Sequence, residues 1–481
     1  MSNPRLNKLL RELWMNQGRS LLVILSIAVG VAAIGAVIGT QQTLARELPA
    51  SYAKVVPASI HLITEPFQEE FLQTVRKVEG VIAVESRSLA NIRLQTGPDR
   101  WQTMLLTVYP DFEDIQVNKI TPVSGDWPPP DREIVIERAS LALTGAQVGD
   151  YVTVQLPDGS LRRLRVAGLA HDLNEPAGTF TNQISAYTTI NTLEWLGFPK
   201  SFNEILIAVD PHDTFTPEES LAYSWEVARR VRDRVEKTGK TVQWTTVKDP
   251  GQHWFQPYLA PMTSVLSVLG GLALALSGFL VINTISALLA QQIRQVGIMK
   301  AVGGRTGQIS IMFIVMVLIF GLFALAIAVP AGVYGARFTL QALAGFINFD
   351  PPVYQLDTRV LIIQTLLSLL VPSLTAFFPI RQGTRIPVRE AISHTGISMS
   401  AAFGSSKFDQ VFTQILNKIG ALPNPVVLSI RNTFRRKSRL ILTLVTLILG
   451  SAIFIAVQHT QASLVQTLDA MLEYYNFDVA A

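Results

Sequence analysis

Five stretches of this chain are long and apolar enough that a bilayer leaves them one conformation. They are Leu21–Gly39, Leu259–Ala290, Ile309–Val333, Val360–Ile380 and Leu440–Val457. A membrane-spanning helix needs ~20 predominantly apolar residues. In hydrocarbon every backbone N–H and C=O must be satisfied within the segment, so such runs become helices. The second stretch exceeds one crossing, so its first turns are expected to project as a stalk or the helix to tilt. Hydrophobic residues make up 49% of the chain, an ordinary share, so the rest must hold a water-soluble domain.

The chain also begins twice. Leu10–Ala50 aligns without a gap on Ile430–Ala470: Arg11 falls on Arg431, Arg19 on Arg439, Gly30 on Gly450, Ala32 on Ala452, Ala36 on Ala456 and Thr40 on Thr460. Each copy is a basic amphipathic stretch followed by an apolar span, the start of an internal repeat of a kind common in transporters. The second copy reaches only Ala481. The expectation is a fragment of a longer two-repeat protein or a vestigial second repeat. An n-region of this length, and an internal copy of the same span, favour an uncleaved anchor over a signal peptide.

Basic residues set the direction of the spans. Arg5, Lys8, Arg11 and Arg19 precede the first; Arg294, Lys300 and Arg305 separate the second and third; Arg381, Arg385, Arg389, Arg431, Arg435, Arg436, Lys437 and Arg439 separate the fourth and fifth. The positive-inside rule puts all of these in the cytoplasm. The loop with Asp350 and Asp357, and the large segment Gln41–Tyr258, then lie outside, with Trp254, Phe255 and Tyr258 at an outer aromatic belt. No nucleic-acid motif accompanies the basic residues, which read as membrane-flanking.

The fold class that follows is an α-helical membrane protein with a large mixed α/β extracytoplasmic domain between its first two spans. The expected segments are a cytoplasmic amphipathic N-terminal helix over 1–20, a first span over 21–39, and an outer domain over 41–257. A second span with stalk follows over 259–290, a cytoplasmic loop over 291–308, and spans over 309–333 and 360–380. A cytoplasmic linker over 381–439 leads to a fifth span over 440–457 and the start of a second outer domain over 458–481. Within the outer domain, Ser59–Ile63 reads as a strand, Pro66–Glu79 as a helix and Gly80–Ser86 as a strand. The pattern returns as Asn203–Val209, the helix Pro217–Lys237 and Thr241–Thr246. Between them, Glu133–Glu137 alternates as a strand, and Tyr151–Leu156 and Leu161–Gly168 flank the turn Pro157-Asp158-Gly159. Two lobes are therefore expected, one split β-α-β and one β-rich.

Little chemistry is on offer. Zero cysteines exclude disulfides, thiolate metal sites and a Cys nucleophile. The six histidines His61, His171, His212, His253, His394 and His459 have no metal-binding spacing. His171-Asp172 reads as a surface loop rather than a ligand pair, and Glu133 with Glu137 as a solvated face. There is no nucleophile elbow. The Gly-rich stretch Gly303-Gly304-Arg305-Thr306-Gly307 lacks the Lys-Ser/Thr ending of a phosphate loop, so the chain is not expected to hydrolyse ATP. No catalytic residue, metal site or cofactor is assigned. Asn283, polar and deep in the second span, is read as helix–helix glue.

One stretch goes further. Gln291-Gln292-Ile293-Arg294-Gln295-Val296-Gly297-Ile298-Met299-Lys300-Ala301-Val302-Gly303-Gly304 follows the second span. It resembles the loop R-x-x-E-I-G-I-L-K-A-L-G-A of FtsX-like (MacB-like) permeases, the membrane subunits of ABC transporters. Arg294, Val296, Gly297, Ile298, Met299, Lys300, Ala301, Val302 and Gly303 fit, whereas Gln295 stands where the family usually has Glu. Pro379-Ile380-Arg381 to Pro387-Val388-Arg389-Glu390-Ala391-Ile392 is similar to the family's ending after its last span. Gly80-Val81, and Glu133-Ile134-Val135 with Val148-Gly149-Asp150, are similar to its outer-domain patterns.

The resemblance implies that a separate ABC ATP-binding subunit binds the ATP and docks on Arg294–Gly303, and that the long second span is a lever to the outer domain. It implies work done outside: extraction or export of a lipoprotein, peptide or other amphiphile, or regulation of an extracytoplasmic hydrolase. A second permease repeat or a homodimer partner, and an extracytoplasmic protein or lipoprotein, are further partners it implies, in the cell membrane with the N-terminus in the cytoplasm. Two rival classes stay open. A membrane-anchored sensor also places an outer domain between helices, but has no use for three more spans. A membrane-embedded enzyme needs an ionisable cluster within spans that are nearly free of charge.

Overall fold

The computed structural model describes residues 17–210, 214–392 and 437–475. The amphipathic helix expected before Gln17, most of the linker expected over 381–439, and Arg5, Lys8, Arg11, Arg431, Arg435, Arg436, His212 and His394 lie outside the described residues. Among those described, five helices are long and apolar enough to cross a membrane.

The chain divides into two compact units. One draws on Met1–Thr40, Met262–Arg337 and Gln355–Ser463, the other on Gln41–Pro261, Phe338–Tyr354 and Leu464–Ala481. The long helices are α1 (Gln17–Lys54), α7 (Gln256–Ala301), α8 (Thr306–Ile347) and α9 (Thr358–Thr384), followed by the short α10 (Val388–Ile392) and by α11 (Lys437–Tyr475). Asp357 starts α9, its Oδ1 accepting from the Arg359 N–H at 2.7 Å.

In the first unit the helices bury a stripe apiece. Val23, Ile27 and Val31 of α1 meet Val281, Ile285 and Leu288 of α7, Phe313, Val317 and Phe320 of α8, and Ala376 and Ile380 of α9. Small residues let the backbones approach, which is how helices associate where lipid is as apolar as leucine. A Cβ on Gly321 would run into the Ser368 carbonyl oxygen. Gly321→Ala should therefore push α8 from α9 and destabilise the bundle by about 1–3 kcal/mol. Thermal inactivation in detergent checks this, with Gly271→Ala as control, since a Cβ there meets nothing within 4 Å. Asn283 is half-buried in α7. The amide enclosed among the helices is Gln364 of α9, 1% exposed, whose Nε2 reaches the carbonyls of Val31 and Ala328 at 3.5 Å each.

The second unit is built on a ten-stranded sheet. Its order is β10-β1-β9-β2-β3-β8-β5-β7-β4, with β6 pairing β2 and β7. The strands are β1 (Ile60–Phe67), β2 (Val81–Gly97), β3 (Arg100–Val108), β4 (Thr121–Gly125), β5 (Glu133–Glu137), β6 (Tyr151–Gln155), β7 (Leu161–His171), β8 (Ile184–Tyr187), β9 (Phe202–Val209) and β10 (Val242–Val247). Both expected lobes are present. In the split β-α-β lobe, β1, β9, β10 and the first half of β2 pair antiparallel. Helices α2 (Leu72–Arg76) and α6 (Pro217–Glu236) cover that sheet through Leu72, Val75, Val227, Val231 and Val235. Thr216 as N-cap and Glu219 in the first turn form a capping box around Pro217, which fixes where α6 starts. The second half of β2 crosses into the β-rich lobe, whose core holds Leu94, Met104, Ile134, Val154, Val166 and Ile184.

One local expectation is shortened. The helix read from Pro66 begins only at Leu72, after a 3-10 turn over Glu69–Phe71. Sheet pairing overrides the helical spacing that starts at Phe67. That residue stays in β1, opposite Phe202, and buries its ring in the lobe core.

Candidate functional site

The stretch that carries the resemblance is the end of a helix. Residues 291–301 continue α7 with no proline to interrupt it, and Gly297 is accommodated on the buried face. The helix then stops in a Schellman motif: the Gly304 N–H donates to the Met299 carbonyl at 2.8 Å and the Gly303 N–H to that of Lys300 at 3.0 Å. Gly303 sits at φ +98°, and a Cβ on Gly304 would lie 2.7 Å from the Met299 carbonyl oxygen, so both positions call for glycine. The chain reverses and α8 begins at Thr306.

This end has two faces. Ile293, Val296 and Gly297 are buried, and Met299 packs on the bundle core. Arg294, Ile298 and Val302 lie at i, i+4 and i+8 on the opposite face, with Ile298 50% and Val302 85% exposed. Ala301 and Gly303 are exposed beside them. Lys300 points elsewhere: its Nζ donates to the Ile386 carbonyl at 2.8 Å, beyond the end of α9. Ser310 and Thr384 hydroxyls meet at 2.8 Å, joining α8 to the same end of α9. The result is a braced turn that presents apolar side chains and an arginine.

The outer domain holds a second polar centre, which residue order alone did not reveal. Arg87 on β2 stands opposite Glu204 on β9 in the sheet register, and its Nε donates to Glu204 Oε2. His61 Nδ1 on β1 lies 3.1 Å from Glu204 Oε1. Burial alone would raise the Glu204 carboxyl, but Arg87 and His61 overcome it and bring it down to about 2. A cavity of about 120 Å³ opens beside this group, lined by Tyr52, His61, Arg87, Asn118, Glu175 and Lys248, among others. Burial, with the charge of Asp172 adding, pushes the Glu175 carboxyl up to about 7. His253 is enclosed edge-on against Tyr52 and faces the Leu173 carbonyl at 3.1 Å; burial brings its imidazole down to about 4.

The raised carboxyl and the lowered imidazole act in opposite directions on stability. A carboxyl whose pKa is raised on folding stabilises the fold when protonated, so the Glu175 contribution is full below ~4.5 and is lost as pH rises to 7. An imidazole lowered on folding costs stability as pH falls from ~6.5 towards 4. Glu175→Gln mimics the protonated acid. Its stability gain over wild type should grow from near zero at pH 4.5 to roughly 3 kcal/mol at pH 8, the size of a shift of this direction and extent. Denaturant unfolding followed by tryptophan fluorescence, across that pH range, measures the difference.

Several readings of the sequence change here. His171-Asp172 is not a surface loop: Asp172 is 1% exposed and accepts from the Tyr187 hydroxyl at 3.0 Å and from the Asn174 N–H at 2.9 Å. Glu133 and Glu137 are not a shared solvated face. Glu133 pairs with Arg165 at 3.1 Å, whereas Glu137 is fully buried and accepts from Asn348 Nδ2 at 2.8 Å. Phe255, expected at an aromatic belt, is buried against Phe346 with ring centroids 5.9 Å apart, while Tyr258 is 46% exposed. No group of acidic residues and histidines that could hold a metal ion occurs among the described residues.

Long apolar helices and a mixed α/β domain that follows the first of them define a membrane protein with a large folded domain between its first two long helices. Two family models match the chain: the MacB-like periplasmic core domain over residues 20–219 and the FtsX-like permease C-terminal over residues 267–388. The chain belongs to the FtsX/MacB-type permeases, the family that serves ABC transporters together with an ABC ATP-binding subunit. Among solved structures it is similar to the extracellular domain of the noncanonic ABC-type transporter YknZ from Gram-positive bacteria, at 12% identity over 39% of this chain and 99% of that one, with a TM-score of 0.26. It is similar also to the periplasmic region of MacB from Actinobacillus actinomycetemcomitans, at 11% identity over 39% and 87%, with a TM-score of 0.25. A domain of a putative permease protein from Porphyromonas gingivalis is similar at 12% identity over 42% and 96%, with a TM-score of 0.24. No curated protein matches.

Proposed function

We propose that this chain turns ATP hydrolysis by a separate subunit into movement of its outer domain, for extraction or export of a lipoprotein, peptide or other amphiphile. The observation that carries the reading is the exposed face Arg294–Ile298–Val302 at one end of an unbroken helix that starts at Gln256. An exposed apolar pair beside an arginine is the composition of a docking surface, since interface cores favour apolar groups and arginine. The Schellman turn and the Lys300–Ile386 bond brace that surface, so a push on it is delivered to α7 rather than absorbed locally.

In this reading the N-terminus is cytoplasmic, five helices cross the membrane, and Arg294–Gly303 is the coupling site. Lys300 serves by holding the turn, and Asn283 by packing within the bundle. A second permease repeat or a second copy would complete the transporter. The experiment is a pull-down of the detergent-solubilised chain beside Arg294→Glu/Lys300→Glu. Wild type is expected to retain a co-purifying ATPase and the variant to lose it. Retention by neither, with both folded, would overturn the reading and favour the sensor.

A further inference from the structure

The last turn of α8 ends in an unusual way. Asn348 takes the left-handed conformation that closes the helix, at φ +54°, and the Phe349 N–H returns to the Ala344 carbonyl at 2.9 Å. Glycine or a solvated asparagine would serve as well for closure. Asn348 instead is 3% exposed, and its Nδ2 donates to three acceptors: Glu137 Oε1 at 2.8 Å, the Asp172 carbonyl at 3.0 Å and the Glu175 carbonyl at 3.3 Å. Its Oδ1 accepts from Arg138 Nε at 3.4 Å, and Arg138 Nη1 pairs with Asp350 at 2.8 Å on the rim. Ile347, Phe349 and Tyr354 are buried around it.

The acceptors lie where two parallel neighbours, β5 and β7, end. The loop Asp172–Glu175 also meets His253, from just before α7, through the Leu173 carbonyl. One loop of the β-rich lobe is thus tied to the end of α8 and to the segment that leads into α7. Helix closure explains the φ of Asn348 but not three acceptors, one of them a buried carboxylate that would lose its amide donor without it.

We propose that Asn348 is a positioning residue for transport: it clamps the end of α8 to the β-rich lobe, so that α8 drives the lobe alongside α7. This rests on the reading that nucleotide moves the outer domain. The clamp stays shut through the cycle and carries force; it is not a latch that opens.

The test uses the full chain with its ATPase subunit in lipid nanodiscs. Amide exchange of residues 151–171 is compared with and without ATP. Asn348→Leu keeps the number of side-chain heavy atoms and their branching and removes the amide. It is expected to retain the ATPase and its hydrolysis rate but to lose the nucleotide-dependent change in exchange. Arg138→Cys and Asp350→Cys, joined in that background by a short bifunctional thiosulfonate, should restore the change, and a reductant should abolish it again. The chain has no cysteine of its own to interfere. A merely structural asparagine would not give this reversible rescue. If Asn348→Leu fails to fold, the rim variant Arg138→Gln decides, with a reduced change expected. A full nucleotide response in Asn348→Leu, or in Arg138→Gln where that decides, overturns the clamp alone. The absence of any response in wild type overturns the functional reading and the clamp with it.

Discussion

Arg87→Met should destabilise the outer domain by about 3–5 kcal/mol, because it leaves the Glu204 carboxylate buried without its cation. The two side chains are 9% and 5% exposed, and the sheet register sets them directly opposite each other, so neither can reach water by rotating. Arg87→Met with Glu204→Leu should recover most of the loss, since replacing both partners removes the uncompensated charge. The wild-type contribution also has a pH signature. The Glu204 carboxyl is held at about 2 in the fold, so its stabilisation is full above ~4.5 and is lost as pH falls from there towards 2. Denaturant unfolding of the three chains measures the energies. A loss under ~1 kcal/mol for Arg87→Met would mean that the pair is solvated after all.

The second large effect is expected at the C-terminal end of α7. Ile298→Asp or Val302→Asp should weaken ATPase binding by about 30-fold or more, the effect of losing an apolar anchor at the centre of an interface. The fold should be untouched, because these side chains are 50% and 85% exposed. Val296→Asp, close by in sequence but 1% exposed, is expected to collapse the bundle instead. Binding measured by titration of labelled ATPase subunit separates the two outcomes.

The spans are legible in the sequence because a bilayer forces runs such as Ile309–Val333 into helices whatever surrounds them. The two lobes are legible from alternating strands, the Pro157-Asp158-Gly159 turn and the helical spacing after Pro217, all of them local. The stretch Arg294–Gly303 is recognisable by its wording, but helical spacing alone does not say which of its faces is buried: Ile293, Val296 and Met299 could equally face a partner or the membrane surface, and it is the packing of the bundle that encloses them. What order along the chain does not carry is pairing across long separations. Arg87 and Glu204 are 117 residues apart, and Asn348 and Glu137 are 211 apart. Two signals were nevertheless there to be weighed. Asn348 follows an apolar run, where asparagine marks a helix end, and Gln364 is an amide within a span, where a polar group rarely goes unpartnered.

Docking of an ATPase subunit on the end of α7 is tested by amide exchange over residues 294–305 of the full chain, with and without that subunit. Protection is expected to be confined to the exposed end of α7 and the turn after it, and to be absent in Arg294→Glu/Val302→Asp. Protection elsewhere on the chain with none at this turn would contradict the assignment of Arg294–Gly303 as the place where the ATPase acts.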